Sequence, residues 1–298
     1  MDFRLDEGQV ELQQTVARFC ADRFPLDDIT ARDGHGVDRV AWREMADLGV
    51  FGLLRPEDRG GSGLGVVEGA ILFEQLGSHL VPGPVLWSVL AAPFVDAVAG
   101  GSLLVGGIEV AQIDERGGAV VEHAQDLDVL LVIDRAEIVA CRTADLPPPA
   151  PMTPLDPLTP VGRFDRVVGG ERVGDATDAA NLRALGTVLV AALLVGVAAR
   201  ALEVARAYAL EREQFGVAIG SFQAVKHLLA DMYVRTGLAQ SAVYAAAAML
   251  DGPSAVDASR LIAGAKLLAG RRRSRTPAPP CRCSAAWGSR GPCCRTTW

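Results

Sequence analysis

The chain has 298 residues, of which half are apolar, 22% are charged and 5% are aromatic, a composition that suits a globular protein with a substantial core and excludes a disordered body. Its formal net charge is −7, and no basic stretch interleaved with aromatic residues precedes the C-terminal tail. Nucleic acid is therefore excluded as a partner class.

The first residues and the apolar stretches predict a cytoplasmic protein without a membrane partner. The opening MDFRLDEGQVELQQTVARF lacks the basic stub and apolar run of a secretory signal. The longest apolar stretch, 185–199, is shorter than the roughly 20 residues that cross a bilayer, so we expect a buried helix there. Cys20 and Cys141 precede the tail without metal-ligand spacing, which predicts core thiols and no metal site.

Residues 1–98 are predicted to form an N-terminal helical domain. Apolar positions recur near a 3.6-residue period, and glycine or proline ends each run. The helices are expected over 7–24, 40–49, 66–77 and 86–98. The connection RPEDRGGSGLG, rich in turn formers, separates the second helix from the third.

Residues 99–178 are predicted to form a reduced β domain. Short apolar runs broken by glycine and charge indicate strands over 103–108, 119–122, 129–133 and 137–141, and a further strand over 166–168. The stretch 145–160 carries seven prolines and is expected to be an extended loop rather than an element.

Residues 179–270 are predicted to form an incomplete helical bundle. Helices are expected over 182–211, 222–250 and 257–270, with a break at Phe215–Gly220. The first of them is apolar almost all round, which is typical of a helix enclosed in a bundle or an oligomer interface.

The segment between the two long helices carries a dense motif. Residues 206–233 read RAYALEREQFGVAIGSFQAVKHLLADMY. This run resembles the acyl-CoA dehydrogenase family, in which a helix ends in R-x-Q-F-G, a turn carries I-x-x-F-Q and the next helix contains K-x-x-L-A-D-M. In the N-terminal half, LGVFGLLRPEDRGGSGLG followed by EQLG is similar to the family's L-G-x-x-G-L-x-x-P-E-x-x-G-G-x-G followed by E-x-L-G.

The resemblance covers residues 1–270 in outline and implies the fold class. That class is mostly α, with an N-terminal helical domain, a small central β domain and a C-terminal long-helix bundle of the acyl-CoA dehydrogenase type, truncated at the C-terminus.

The motif residues could have a purely structural role or the cofactor-binding role that the resemblance implies. Without the resemblance, Arg212 could be a cation at the end of a helix, where the helix dipole stabilises it. Gln223 and Lys226 could then form a solvated or capping face of the next helix. The resemblance instead implies contact with the pyrophosphate and adenosine half of an FAD that a neighbouring subunit holds. A planar guanidinium suits two phosphates because it offers paired donors. The cofactor-binding residues so implied are Arg212, Gln214, Phe215, Phe222 and Gln223.

The chemistry of the family needs groups that this sequence lacks. A glutamate removes the α-proton of the thioester while the β-hydrogen passes as hydride to the flavin. The resemblance places the family's usual base beyond residue 298, and the family's alternative base position falls near residues 183–187, yet no carboxylate lies between Asp178 and Glu203. Asp178 is therefore only a weak catalytic candidate. The runs T-E-P-x-A-G-S-D and W-I-[TS]-N, which grip the flavin ring in the family, are also missing.

The tail, residues 271–298, departs from the rest of the chain. It contains seven arginines and four cysteines, and its C-x-C and C-C spacings match no standard zinc pattern. Back-translation of CRCSAAWGSRG in another frame permits V-Q-V-L-G-G-M-G-F-T-W, which resembles the family's flavin-contacting Q-x-x-G-G-x-G. We interpret the tail as an out-of-frame, disordered segment; the alternative is a genuine metal-binding or nucleic-acid tail.

These observations lead to two functional hypotheses. The first is a non-base-carrying subunit of a hetero-oligomeric acyl-CoA dehydrogenase, inactive alone, which shares FAD with a second subunit. The complex would carry out α,β-dehydrogenation of a bulky acyl-CoA thioester, such as a steroid side chain, with FAD as the hydride acceptor. The second is a non-catalytic helical scaffold or decayed paralogue without bound flavin.

Overall fold

The computed structural model describes residues 5–252 and 258–275, with Thr30 and residues 271–275 as backbone only. Helices come first, then short strands, then long helices, which confirms the predicted fold class. The seven α-helices of the described residues are α1 (Glu7–Arg23), α2 (Arg39–Asp47), α3 (Val66–Ser78), α4 (Val85–Ala91), α5 (Ala176–Glu211), α6 (Gln223–Asp251) and α7 (Ser259–Arg275).

The described strands lie mainly between α4 and α5. They are β1 (Val105–Glu109), β2 (Ala119–Glu122), β3 (Val129–Ile133), β4 (Glu137–Arg142), β5 (Ala150–Met152), β6 (Val161–Phe164) and β7 (Glu171–Asp175), followed after α5 by β8 (Glu213–Gln214) and β9 (Val217–Ala218).

The chain divides into two compact units that interleave along the sequence. The bundle unit contains the described residues up to Leu26, Val66–Val81 and those from Thr187 onward; the sheet unit contains Asp27–Gly65 and Pro82–Gly186. The predicted domains, 1–98, 99–178 and 179–270, are instead consecutive segments of the chain, and this division stays a prediction.

In the bundle unit, polar side chains fix where the helices begin. Asp6 accepts a hydrogen bond from the Gln9 amide at 2.8 Å, and the Gln9 side chain accepts one from the Asp6 amide at 3.1 Å, which is a capping box. α3 takes its cap from the far end of α6. The two carboxylate oxygens of Asp251 accept from the amides of Val66 and Val67 at 2.7 and 3.0 Å. This long-range cap joins two helices that are distant in sequence.

Two glycines bring the backbones of α3 and α5 into contact. A Cβ at Gly196 would lie 1.9 Å from the Glu74 carbonyl oxygen, and one at Gly77 would lie 2.1 Å from that of Leu193. No side chain fits at either position without separation of the helices. The close approach fixes the position of Glu74 against α5.

The sheet unit contains two small sheets. One has the order β1-β3-β4-β7, in which β1 and β3 are parallel and the other pairs antiparallel; the other is antiparallel with the order β2-β6-β5. All five residues of β3 are buried, so it forms the centre of this core. Cys20 and Cys141 are both buried free thiols, as predicted, and burial raises the pKa of Cys20 to about 12.

Several element predictions need correction. The strand expected at 166–168 is wrong, because that stretch connects β6 to β7 and turns at Gly169 and Gly170, both with positive φ. The proline-rich stretch 145–160 contains β5, which lies at a sheet edge, where Pro151 is tolerated because no ladder donor is needed there.

The predictions for α4 and α5 also differ from the structure at one end. The helix expected over 86–98 ends at Ala91, two residues before Pro93, and a short 3₁₀ turn follows at Asp96–Val98. α5 begins at Ala176 instead of residue 182, because the Asp175 side chain accepts from the amides of Thr177 and Asp178.

α5 is apolar enough to cross a membrane by length and composition alone. Among the described helices it is the one that meets this criterion, and 56% of its most apolar stretch is buried within the protein. A core helix has the same composition, and the close contact with α3 accounts for the apolar character of this one.

Candidate functional site

The predicted break between the two long helices is a tight β-hairpin. Glu213 pairs with Ala218 and Gln214 pairs with Val217, so Phe215 and Gly216 alone form the turn. A following 3₁₀ turn closes onto α5, where the Ile219 amide donates to the Arg212 carbonyl oxygen at 2.8 Å. The hairpin therefore projects from the end of α5 on a short, hydrogen-bonded base.

Phe215 occupies a strained conformation at the tip of this hairpin. Its φ is +55° and that of Gly216 is +79°, the two consecutive left-handed residues that a type I′ turn requires. For an aromatic residue this region is unfavourable by about 1–2 kcal/mol. The ring is nonetheless 80% exposed. A strained and exposed aromatic side chain is a candidate for contact with another molecule.

The base of the hairpin is anchored by a small apolar cluster. Ala209, Ile219 and Val225 are buried together, and Phe222 packs against them. The Phe222 ring meets that of Phe215 edge-on, with centroids 6.3 Å apart and planes at 87°. The contact with Phe222 therefore helps to hold the tip of the hairpin in place.

Arg212 lies directly after the last residue of α5. Its amide donates to the Tyr208 carbonyl oxygen at 2.9 Å, so the backbone continues the helix. The side chain is partly buried, and its Nε has no acceptor among the described residues. A buried guanidinium donor without an acceptor is costly unless a ligand supplies one.

The other predicted cofactor residues lie on the same segment. Gln214 is half-buried in β8, Phe222 is the residue before α6, and Gln223 is the exposed first residue of α6. Its N-cap, Phe222, makes no side-chain hydrogen bond to this helix, so the amides of Gln223 and Ala224 at the positive end of the helix dipole are left without a side-chain cap. The structure brings all five predicted residues onto one connection.

Donors of this kind suit the phosphate and adenosine half of a dinucleotide cofactor. The Arg212 guanidinium and the uncapped start of α6 match phosphate oxygens in charge and in donor number. The Phe215 ring offers an apolar face next to them. The residues of this connection therefore fit part of FAD, and they include no group that could react with a flavin ring.

Asp178 does not lie on this connection. It is in the sheet unit, where its Oδ2 accepts from the Asp175 amide at 2.9 Å while Asp175 caps α5 in return. This reciprocal pair is a structural role that accounts for the residue. A catalytic role for Asp178 remains a prediction without geometric support.

Sequence analysis missed a buried, hydrogen-bonded carboxylate in the bundle unit. Glu74 is 8% exposed, and its oxygens accept from Gln240 Nε2 at 2.7 Å and from the Tyr244 hydroxyl at 3.0 Å. Burial raises the pKa of the Glu74 carboxyl group, and these two hydrogen bonds partly offset the rise. One signal was available: a carboxylate inside the apolar run AILFEQL of a helix.

Comparisons with known families cover most of the chain. Residues 6–99 match the acyl-CoA dehydrogenase N-terminal domain, and residues 183–276 match the acyl-CoA dehydrogenase C-terminal domain. The acyl-CoA dehydrogenase IpdE2 of Mycobacterium tuberculosis is 31% identical over 274 residues, which are 88% of this chain and 82% of that protein.

Solved structures share the fold. The complex of ChsE4 and ChsE5 from Mycobacterium tuberculosis contains a chain that is 25% identical, with a TM-score of 0.80, over 94% of this chain and 87% of that one. A Tcur3481-Tcur3483 steroid acyl-CoA dehydrogenase variant is 23% identical, with a TM-score of 0.81, over 97% and 90% of the two chains. Others with this fold are complexes with FAD.

Proposed function

The chain belongs to the acyl-CoA dehydrogenase family, whose cofactor is FAD, and we propose that it is the non-base-carrying subunit of a hetero-oligomeric acyl-CoA dehydrogenase. In this proposal the second subunit holds the flavin ring and supplies the catalytic base. The chain described above supplies binding groups for the distal half of the same cofactor.

The hairpin between α5 and α6 carries this proposal. Its tip exposes the strained Phe215 at the surface of the bundle unit, while Arg212 retains a buried donor without an acceptor among the described residues. Both features are unfavourable for an isolated subunit. They become useful if a pyrophosphate and an adenine of a neighbouring subunit's FAD meet them.

The missing base supports a second, different subunit. Residues 179–202 of α5 include no carboxylate, and Asp178, just before them, is occupied as a capping partner of Asp175. Removal of the α-proton of a thioester needs a desolvated base that is positioned in reach of it. Two structures with the same fold are complexes of two differently named chains, which is consistent with such a division of labour.

The reaction of the proposed complex is α,β-dehydrogenation of an acyl-CoA thioester. The base takes the α-proton, the β-hydrogen leaves with its electron pair as hydride, and FAD accepts that pair. We propose a bulky acyl group such as a steroid side chain, because one structure with the same fold is that of a steroid acyl-CoA dehydrogenase. A cytoplasmic location belongs to the same proposal, since α5 is explained as a core helix and need not span a membrane.

Co-expression with a neighbouring dehydrogenase gene tests the proposal. The isolated chain is expected to be colourless and to show no acyl-CoA-dependent dye reduction, and the co-purified complex is expected to show flavin absorbance and activity. Stoichiometric FAD in the isolated chain would contradict the division between subunits.

A non-catalytic scaffold is the competing function, and the capping role of Asp178 is the observation that favours it. The same purification distinguishes the two. A scaffold would co-purify with its partner without altering the partner's flavin affinity.

A further inference from the structure

In the sheet unit, His123 directly follows strand β2 in a conformation that most residues avoid. Its φ is +54°, in the left-handed region that favours glycine. Its amide donates to the Pro160 carbonyl oxygen at 2.6 Å, and its carbonyl oxygen accepts from the Asp126 amide at 2.8 Å. The backbone of this one residue therefore joins the turn between β2 and β3 to the proline-rich stretch 145–160.

The His123 side chain is enclosed without a complete set of partners. The residue is 4% exposed, and its Nδ1 is buried with no hydrogen bond to any part of the chain that the structure describes. A neutral imidazole tolerates this enclosure better than an imidazolium does, because only the imidazolium would bring a buried charge and an unpaired N–H at Nδ1. The site therefore holds the neutral ring.

The charged groups around this ring are mainly acidic. Asp126 of the turn and Asp156 of the proline-rich stretch favour the charged form of the ring, but burial outweighs them and lowers the pKa of His123. Glu122, the last residue of β2, is the neighbour in sequence. The nearby cation is Arg39 of α2, whose guanidinium donates to the Asp126 carbonyl oxygen at 2.9 Å.

Both aspartates have other partners. Asp126 Oδ2 accepts from the amide of Val37, just before α2, at 3.2 Å. Asp156 Oδ2 accepts from the Thr159 hydroxyl at 3.0 Å, within its own segment. Neither carboxylate bonds to Nδ1 of the ring. A proton gained at Nδ1 would therefore have no acceptor unless one of these contacts were broken.

We propose that His123 is an acid-sensitive latch, whose neutral ring keeps the turn 123–126 against the proline-rich stretch 145–160 and whose protonation releases it. Three features converge at this point: a left-handed backbone, an enclosed ring with an unpaired nitrogen and two committed carboxylates. The latch does not rest on the proposed flavin role, because it involves neither Arg212 nor Phe215.

Acid favours the open latch because a released ring takes up a proton more readily than the enclosed one. A released histidine has a pKa of about 6.5, and that of the enclosed ring is lower. The opening equilibrium should therefore be independent of pH well above this value. It should increase as the pH falls below it, by up to about 30-fold at pH 5.

Hydrogen exchange of the full-length chain at pH 7.5 and pH 5.0 tests the latch. The reporters are the amides of Gly34 and Thr159, which donate to carbonyl oxygens of the proline-rich stretch. After correction for the intrinsic exchange rate, their protection should fall by about 3-fold to 30-fold on acidification, while that of the buried strand β3 is retained. His123→Asn should abolish the fall, because asparagine tolerates a left-handed backbone and does not titrate. His227→Asn, at an exposed histidine, is the matched control and should behave as the wild type.

Glu122 acts in the opposite direction, so the comparison is repeated with Glu122→Gln. Partial burial and the neighbouring Asp156 raise the pKa of Glu122, so its contribution to stability is lost as pH rises. With Glu122→Gln, the fall in protection on acidification should be at least as large as in the wild type. No fall in that background, an equal fall with His123→Asn, or an equal fall in β3 would each overturn the proposal.

Discussion

Replacement of Phe215 by asparagine should stabilise the isolated chain while weakening flavin binding in the complex. Phe215 has a φ of +55°, which is unfavourable for an aromatic residue by about 1–2 kcal/mol, whereas asparagine followed by Gly216 is a preferred pair for this turn. The substitution also removes the edge-on contact with Phe222. Aromatic pairs contribute about 0.5–1.5 kcal/mol, and the 80% exposure of Phe215 places this pair at the low end.

The balance is a gain of about 0.5–1.5 kcal/mol in unfolding free energy, or roughly 1–6 °C in melting temperature for a chain of this size. Thermal melts of the isolated chain measure the gain, and flavin titration of the complex measures the loss of affinity. Phe215→Ala is the matched control, because it removes the ring without relieving the left-handed backbone. A loss of more than about 1 kcal/mol with Phe215→Asn would show that the ring stabilises its own subunit, and the interpretation of Phe215 as a functional residue would fail.

Three further predictions concern the bundle unit. Gly196→Ala should destabilise the chain by about 1–3 kcal/mol in urea melts, because its Cβ would lie 1.9 Å from the Glu74 carbonyl oxygen. Gly264→Ala is the control and should be neutral or stabilising, because there is open space around Gly264. Equal effects of the two substitutions would contradict the close contact between α3 and α5. Asp251→Ala should remove the cap of α3 and lower the unfolding free energy by about 0.5–2 kcal/mol, and an unchanged melt would exclude that cap. Burial raises the pKa of Glu74 in the folded state, so the contribution of Glu74 to stability is fully present below the unfolded pKa and is lost as pH rises through the folded pKa. The unfolding free energy of Glu74→Gln should therefore rise relative to that of the wild type between about pH 4 and pH 8. Urea melts measure this difference, and parallel curves for the two proteins would refute the assignment.

Local sequence signals were sufficient for most helices and for the hairpin connection. The 3.6-residue period located α1, α3 and α6 to within one residue at each end, because each has a long apolar stripe and a polar start or stop. The motif EREQFG located the turn, because its glycine, Gly216, takes a left-handed position at the tip of the hairpin. Strand β3 was likewise found from its unbroken apolar run.

Predictions failed where tertiary contacts decide the outcome. Edge strand β5 looked like a loop, because prolines usually exclude a strand and only the sheet order shows that no ladder donor is needed at Pro151. The start of α5 was placed too late, because the capping role of Asp175 depends on its local geometry. The partners of Glu74 come from α6, 166 and 170 residues later, a pairing that no local pattern contains.

The interpretation of the tail remains a prediction. α7 extends to Arg275, five residues beyond the end expected at Gly270, and the rest of the tail, including its four cysteines, lies outside the described residues. The match to the acyl-CoA dehydrogenase C-terminal domain ends at residue 276, six residues into the tail that we expect to be out of frame from residue 271. Resequencing of the 3′ end of the gene would test this, and a nucleotide sequence that confirms the printed frame would refute it.

The central claim is that Arg212 serves a cofactor held by a neighbouring subunit, and flavin titration of the reconstituted complex with Arg212→Ala tests it most directly. Loss of a charge-assisted contact to pyrophosphate should weaken flavin binding by about 1.5–3 kcal/mol, or one to two decades, with Arg18→Ala as an unaffected control. The melting temperature of the isolated chain should stay nearly unchanged, because the Nε of Arg212 has no acceptor among the described residues. A large loss of melting temperature with unchanged flavin affinity would contradict the claim and make Arg212 a structural helix-end residue.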